Sequence, residues 1–170
     1  MTRTGKYVAM ILLALCGAGW LSCTQERSPC LTPKIASLNI ECLHRQLDTS
    51  TVFVDTALPE AIFAPLTNTA NNAGTIYPQQ SNFTISLSPD STVCQWLFTT
   101  DSLRQPFDTL TFFYERKLQF ISNACGLTYF YTLDSLHTTH FNIDSAQIIN
   151  TSVTNNVNTK HLQIFIHPAF

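Results

Sequence analysis

Apolar and polar residues alternate with a period of two along much of this chain, the signature of strands with one buried face. Residues 34–42 place Leu38, Ile40 and Cys42 on one face, and residues 82–87 set Phe83, Ile85 and Leu87 against Thr84 and Ser86. Residues 92–99 put Cys94, Trp96 and Phe98 opposite Val93, Gln95 and Leu97, and residues 108–115 alternate Leu110, Phe112 and Tyr114 with Thr109, Thr111 and Phe113. The runs 117–122 and 127–133 flank a short polar segment ending in Gly126, which reads as a hairpin. Residues 146–152 and 161–167 complete the set, the last with Leu162, Ile164 and Ile166 on one face. Residues 59–78 and 150–158 read as loops by composition, and Glu115-Arg116-Lys117 reads as the solvated tip of a hairpin. No window beyond the N-terminal segment shows a capped 3.6-residue period. The pattern predicts an all-β chain: a single antiparallel β-sandwich, immunoglobulin-like, of about seven or eight strands, with a small β-barrel as the alternative.

The first 23 residues break this pattern. Arg3 and Lys6 precede a 15-residue apolar run, 7–21, which ends at Ser22-Cys23. That arrangement is the pattern of an export signal, and the run is too short for a spanning helix. A cysteine behind a small residue predicts a lipoprotein signal, with Cys23 acylated and then becoming the first residue. Trp20 stands where such signals prefer Leu, while Ser22 fits. Two or three acyl chains, at roughly 0.8 kcal/mol per buried CH₂, make attachment stable. The expected organisation is a signal peptide at 1–22, an anchored tether at 23–33 and a β-sandwich domain at 34–170. The expected location is a cell envelope, on the inner or outer membrane, facing the periplasm or the surface.

Composition narrows the function classes. The mature part holds seven basic and eleven acidic residues, a net of −4, with no Lys/Arg cluster, so nucleic acid is not an expected partner. Its two glycines, Gly74 and Gly126, make no phosphate-cradling loop. No cofactor is implied. Four cysteines remain, Cys30, Cys42, Cys94 and Cys125, which allow three pairings in an oxidising space. Cys30 and Cys125 lie at segment edges and are the first candidate pair. Cys42 and Cys94 form the second, although they lie in apolar runs where a free thiol acts as a small hydrophobe. Four unpaired thiols are the alternative.

Candidate chemistry is thin. His137 and His140 have the i, i+3 spacing that converges on a metal in a helix, but in strand or loop context the two diverge. They are weak metal candidates, and a third ligand from His161 or His167 would need the last strand alongside. The four glutamates, Glu26, Glu41, Glu60 and Glu115, show no spacing that predicts a catalytic carboxylate pair about 5 Å apart. No nucleophile motif occurs, and no catalytic residue is assigned. All seven aspartates precede Ser or Thr. Asp-Ser/Thr starts turns, because both side chains bond nearby backbone N–H groups. Six of the seven continue into Ala, Leu or Thr, which resembles the O-glycosylation signal of exported Bacteroidota proteins. On that likeness the modified residues would be Thr56, Ser91, Ser102, Thr109, Ser135 and Ser145.

Cys30-Leu31-Thr32-Pro33, Phe113-Tyr114-Glu115-Arg116 and Phe120-Ile121-Ser122-Asn123-Ala124-Cys125-Gly126 resemble an uncharacterised family of small Bacteroidota lipoproteins. Asn123 stands where that family pattern would have Arg. The resemblance implies a lipid-anchored β domain, supports pairing of Cys30 with Cys125, and implies no activity. The expectation is therefore a non-catalytic envelope module that binds membrane lipid through its acylated cysteine and an envelope protein or glycan through sandwich loops. A small apolar-ligand carrier is the alternative, and a His-based metal hydrolase comes third.

Overall fold

Every alternating run forms a strand, and the apolar faces meet each other. A computed structural model describes residues 29–45, 53–55, 57–66, 74–101 and 107–166. Among the described residues the strands are β1 (Ser37–Arg45), β2 (Phe53–Asp55), β3 (Leu58–Pro65), β4 (Thr75–Gln80), β5 (Asn82–Ser86), β6 (Val93–Thr99), β7 (Asp108–Ser122), β8 (Gly126–Thr138), β9 (Ile143–Ile148), β10 (Ser152–Val153) and β11 (Leu162–Ile166). One sheet runs β2-β1-β11-β9, with β5 also on β1, and the other runs β10-β8-β7-β6-β3-β4. All pairings are antiparallel except β1 with β11, where Ile40 faces Leu162 and His44 faces Ile166. The sheets stay open, so the architecture is a sandwich and not a barrel.

The core is built from the predicted faces. Leu38, Ile40, Phe83, Ile85, Leu162 and Ile164 from the first sheet meet Phe63, Phe98, Leu110, Phe112 and Leu133 from the second, all buried. Phe63 is the hub, with ring centroids 5.0 Å from Phe83 across the sandwich and 4.8 Å from Phe98 on the neighbouring strand. A buried Phe, Leu or Ile contributes about 1.5–3 kcal/mol. Tyr114 is also buried, and its hydroxyl takes the Ser88 N–H and donates to the Ser88 carbonyl, both at 3.0 Å. That bond ties the β5–β6 connection to the middle of β7.

Three expectations change. Residues 58–65 and 75–80, expected as loop, are β3 and β4. Their prolines are tolerated because Pro59 lies near a strand start and Pro78 lies on the edge strand. Gln79, at φ 51°, marks the point where the chain leaves one sheet for the other. Residues 152–153 of the second expected loop form β10. Glu115-Arg116-Lys117 is no hairpin tip but the middle of the 15-residue strand β7. Beyond Tyr114 that strand leaves the core, and β7 and β8 continue as a two-stranded ribbon turning at residues 123–125.

Cys30 and Cys125 form a disulfide with Cα atoms 4.8 Å apart, fastening the N-terminal segment to the tip of this ribbon. Closing a loop of nearly 100 residues stabilises by about 4–5 kcal/mol in the chain-entropy picture. The second candidate pair does not form. Cys42 and Cys94 are free thiols on the inner faces of opposite sheets, and burial pushes the Cys42 thiol well above its usual range and raises that of Cys94.

Tyr114→Phe removes both bonds to Ser88 and strands a backbone N–H. Urea unfolding should show a loss of about 1–3 kcal/mol, and an unchanged midpoint would mean that the hydroxyl is structurally idle.

Candidate functional site

The outward positions of the first sheet carry the densest functional chemistry. On β1 the residues opposite the Leu38-Ile40-Cys42 face are Asn39, Glu41 and Leu43. Parallel pairing sets Glu41 beside Gln163 and Leu43 beside Phe165. Antiparallel pairing sets Asp55 beside Leu43, and Gln147 beside Gln163. These side chains line an open groove of about 740 Å³.

Asn39 prepares the site from below. Its side-chain amide donates to the carbonyls of Val157 (2.9 Å) and Thr159 (2.8 Å), holding the segment before β11 against β1. Its backbone N–H donates to Nδ1 of buried His161 at 3.0 Å, and its carbonyl accepts the His161 N–H. Burial lowers the His161 pKa, so the ring is neutral and Nδ1 stays an acceptor. This clamp delivers Lys160 to the groove.

Glu41 is 6% exposed although it points outward, because its partners cover it. The Lys160 ammonium donates to Oε1, and Gln163 Nε2 donates to Oε2 at 2.9 Å. Gln147 Nε2 then donates to Gln163 Oε1 at 2.8 Å. Donors therefore point one way, from Gln147 through Gln163 to Glu41, with Lys160 closing the far side. The Glu41 and Asp55 carboxyls are close enough to influence each other's charge. Burial works against the Glu41 charge, but Lys160, Gln163 and Asp55 outweigh it and hold Glu41 below the usual carboxylate range. Burial and the Glu41 charge push Asp55 the other way. Next to this relay, Phe53 and Phe165 meet edge-on over β1, with centroids 4.7 Å apart.

The other sequence-predicted residues do not assemble. The His137 ring packs edge-on against Phe113 at 5.4 Å, and His140 Nδ1 lies 3.1 Å from the Ile143 carbonyl. Among the described residues no three His, Cys, Asp or Glu gather as metal ligands. His161 is a core residue. Cys23, Thr56, Ser102 and His167 lie outside the described residues. Of the Asp-Ser/Thr sites, Ser91 makes a local turn, bonding the backbone of Val93. Ser135 stands beside a bulge where β8 carries one extra residue, Asp134, and Ser145 is exposed on β9. Asp108, ahead of Thr109, is fully buried and accepts bonds from Thr139, Phe141 N–H and Asn142 N–H, shaping the β8–β9 loop. Turn chemistry thus accounts for only part of that pattern.

Neither the carboxyl pair nor the two glutamines were predicted. Alternation on β1 and β11 marks each as outward, yet their meeting depends on strands about 120 residues apart. The groove also lies on a sheet face, whereas loops were the expected binding element. A smaller cleft of about 370 Å³, lined by Leu87, Cys94 and Trp96 among others, opens at the sandwich edge.

The family model for a family of unknown function, DUF6452, matches residues 61–166, from β3 to the end of β11. No curated protein and no solved structure matches the chain. The match covers Gln147, Gln163, Phe165 and Cys125, and stops short of Cys30, Glu41, Phe53 and Asp55.

An Asp carboxyl with a raised native pKa costs stability once pH rises above its unfolded value, and costs nothing when protonated in both states. Asp55→Asn should therefore raise stability at pH 7.5 by no more than about 1 kcal/mol, since the residue is exposed and screened. The gain should vanish near pH 3, as read by urea unfolding at both values.

Proposed function

The chain belongs to DUF6452, a family of unknown function, and from that premise we propose that it is a lipid-anchored, non-catalytic binding module of a cell envelope whose sheet groove takes a glycan. The observation that carries the ligand class is the Phe53–Phe165 pair beside the oriented relay Gln147–Gln163–Glu41. Neutral sugars offer hydroxyls that both donate and accept, matched by amide and carboxylate groups, and apolar ring faces, matched by aromatic rings. The relay holds its side chains in place beforehand, which lowers the ordering cost of binding.

Absence of catalysis is argued from the carboxyls. Glycosidases separate theirs by about 5 Å or by 6.5–9.5 Å to admit the sugar or a water. Glu41 is instead buried with both oxygens already taken, Oε1 by Lys160 and Oε2 by Gln163. The anchor rests on the signal pattern ending at Cys23, on the likeness to small Bacteroidota lipoproteins, and on a disulfide that suits an oxidising compartment. The carrier alternative has less behind it: the groove is open and polar-lined, and the apolar cleft is the smaller of the two.

Calorimetric titration of the mature protein with soluble envelope-polysaccharide and peptidoglycan oligosaccharides should give saturable heats with at least one of them. Phe165→Ala and Gln163→Ala should each weaken that binding about fivefold or more, and heats of dilution alone across the panel would end the glycan reading. The anchor is tested apart from it. Intact mass of the mature protein from its native host should exceed the polypeptide by at least a diacylglycerol, and a Cys23→Ala form that stays membrane-bound would contradict acylation there.

A further inference from the structure

We propose that the tip of the β7–β8 ribbon is a membrane-contacting foot that lies in the headgroup layer of an anionic bilayer. The inference rests on the proposed acylation of Cys23 for its location, and on the ribbon itself for its chemistry. Past Tyr131, which is buried, and Tyr129, which still packs against the core, the inner face of the second sheet continues outward along the ribbon. Cross-strand pairing keeps Leu118 with Tyr129 and Phe120 with Leu127 on that face. Leu118, Phe120 and Leu127 are 51%, 54% and 60% exposed. The disulfide brings Leu31, 90% exposed, to the same end. Thr128 holds the Lys34 carbonyl, which keeps neighbouring Ile35 beside the ribbon as well. Large side chains grouped this way on a water-facing surface mark an interaction site.

Two observations select lipid as the occupant. Six residues lie between Cys23 and Cys30, so an acylated N-terminus reaches at most about 25 Å from the ribbon tip. The tip is the part of the fold tied nearest the anchor. Charge agrees with this. Residues 27–40 and 116–133 hold Arg27, Lys34, Arg116 and Lys117 and no acidic residue, with Glu26, Glu41, Glu115 and Asp134 just outside. The rest of the mature chain carries three basic residues and all eleven acidic ones. A local excess of basic residues in these segments complements anionic headgroups, at about 1 kcal/mol per cation near the surface. Foot and acyl chain together give the two-part attachment that holds a protein in a set orientation.

The test holds the mature chain, residues 23–170, on phosphatidylethanolamine/phosphatidylglycerol vesicles through an N-terminal hexahistidine and a nickel-chelating lipid, so it does not depend on acylation. Trp96 is the single native tryptophan of the mature chain and serves as the common background. Phe120→Trp and Leu118→Trp report on the foot. Phe141→Trp reports on an equally exposed residue (59%) beyond the far end of β8, about 40 Å from Gly126. Brominated lipids should quench the two foot tryptophans at least twofold more than Trp at position 141. Equal quenching at all three positions would overturn the proposal. So would a foot emission that shifts with protein concentration in the absence of lipid, which would assign the surface to a second copy of the chain. Failure of the anchor reading shows separately, as a mature mass without lipid while foot quenching persists.

Discussion

The parallel pairing of β1 with β11 is the contact on which the rest depends. It joins the first and last described strands and brings Leu38 and Ile40 against Leu162 and Ile164 on the inner face. On the outer face the same register sets Glu41 beside Gln163. Parallel strands need a long connection, and here nearly the whole domain is that connection. The pairing is locked at one end by the reciprocal bonds of Asn39 with His161 and the clamp of Asn39 on residues 157–159. A buried neutral imidazole at this seam makes core and groove one cooperative unit: losing the Asn39–His161 contact would release Lys160 and unbalance the Glu41–Asp55 pair together.

Away from that seam the molecule is divided by function. The inner faces are aromatic and filled, with Phe63 bridging the sheets. Buried polar groups outside the groove serve the architecture. Tyr114 ties a crossing loop to β7, and Asp108 gathers the β8–β9 loop through three charge-assisted bonds. The groove is different. Its polar side chains are paired with each other, and Gln147, Gln163 and Asp55 stay open to solvent around a buried Glu41. The ribbon differs again, because it projects past the opposing sheet and leaves its apolar face uncovered. A strand pair of that kind has little stability alone, and the disulfide to Cys30 holds its end in place.

What could be read in advance follows from which interactions are local. The inward residues of β1, β5, β6, β7 and β11 were legible because a period of two is a property of a single strand. So was the hairpin at Gly126, whose φ of 76° suits glycine. Composition misled at residues 58–65 and 75–80, where polar and proline residues suggested loop but an edge position admitted them into a sheet. Charge misled at residues 115–117, because a strand that leaves the core shows solvent residues on both faces, as a turn does.

Sequence alone determined the all-β class and the inward faces, since each rests on short-range pattern, and it narrowed the cysteines to a first candidate pair at the segment edges. Tertiary structure decided the partners. Glu41 with Asp55, Gln163 with Gln147, Phe53 with Phe165, and the bare face of the ribbon all arise from strand order and strand length. Alternation states which way a side chain points, but not which strand comes to lie beside it. That choice is made by the burial of both sheets' inner faces at once, and no single segment carries it.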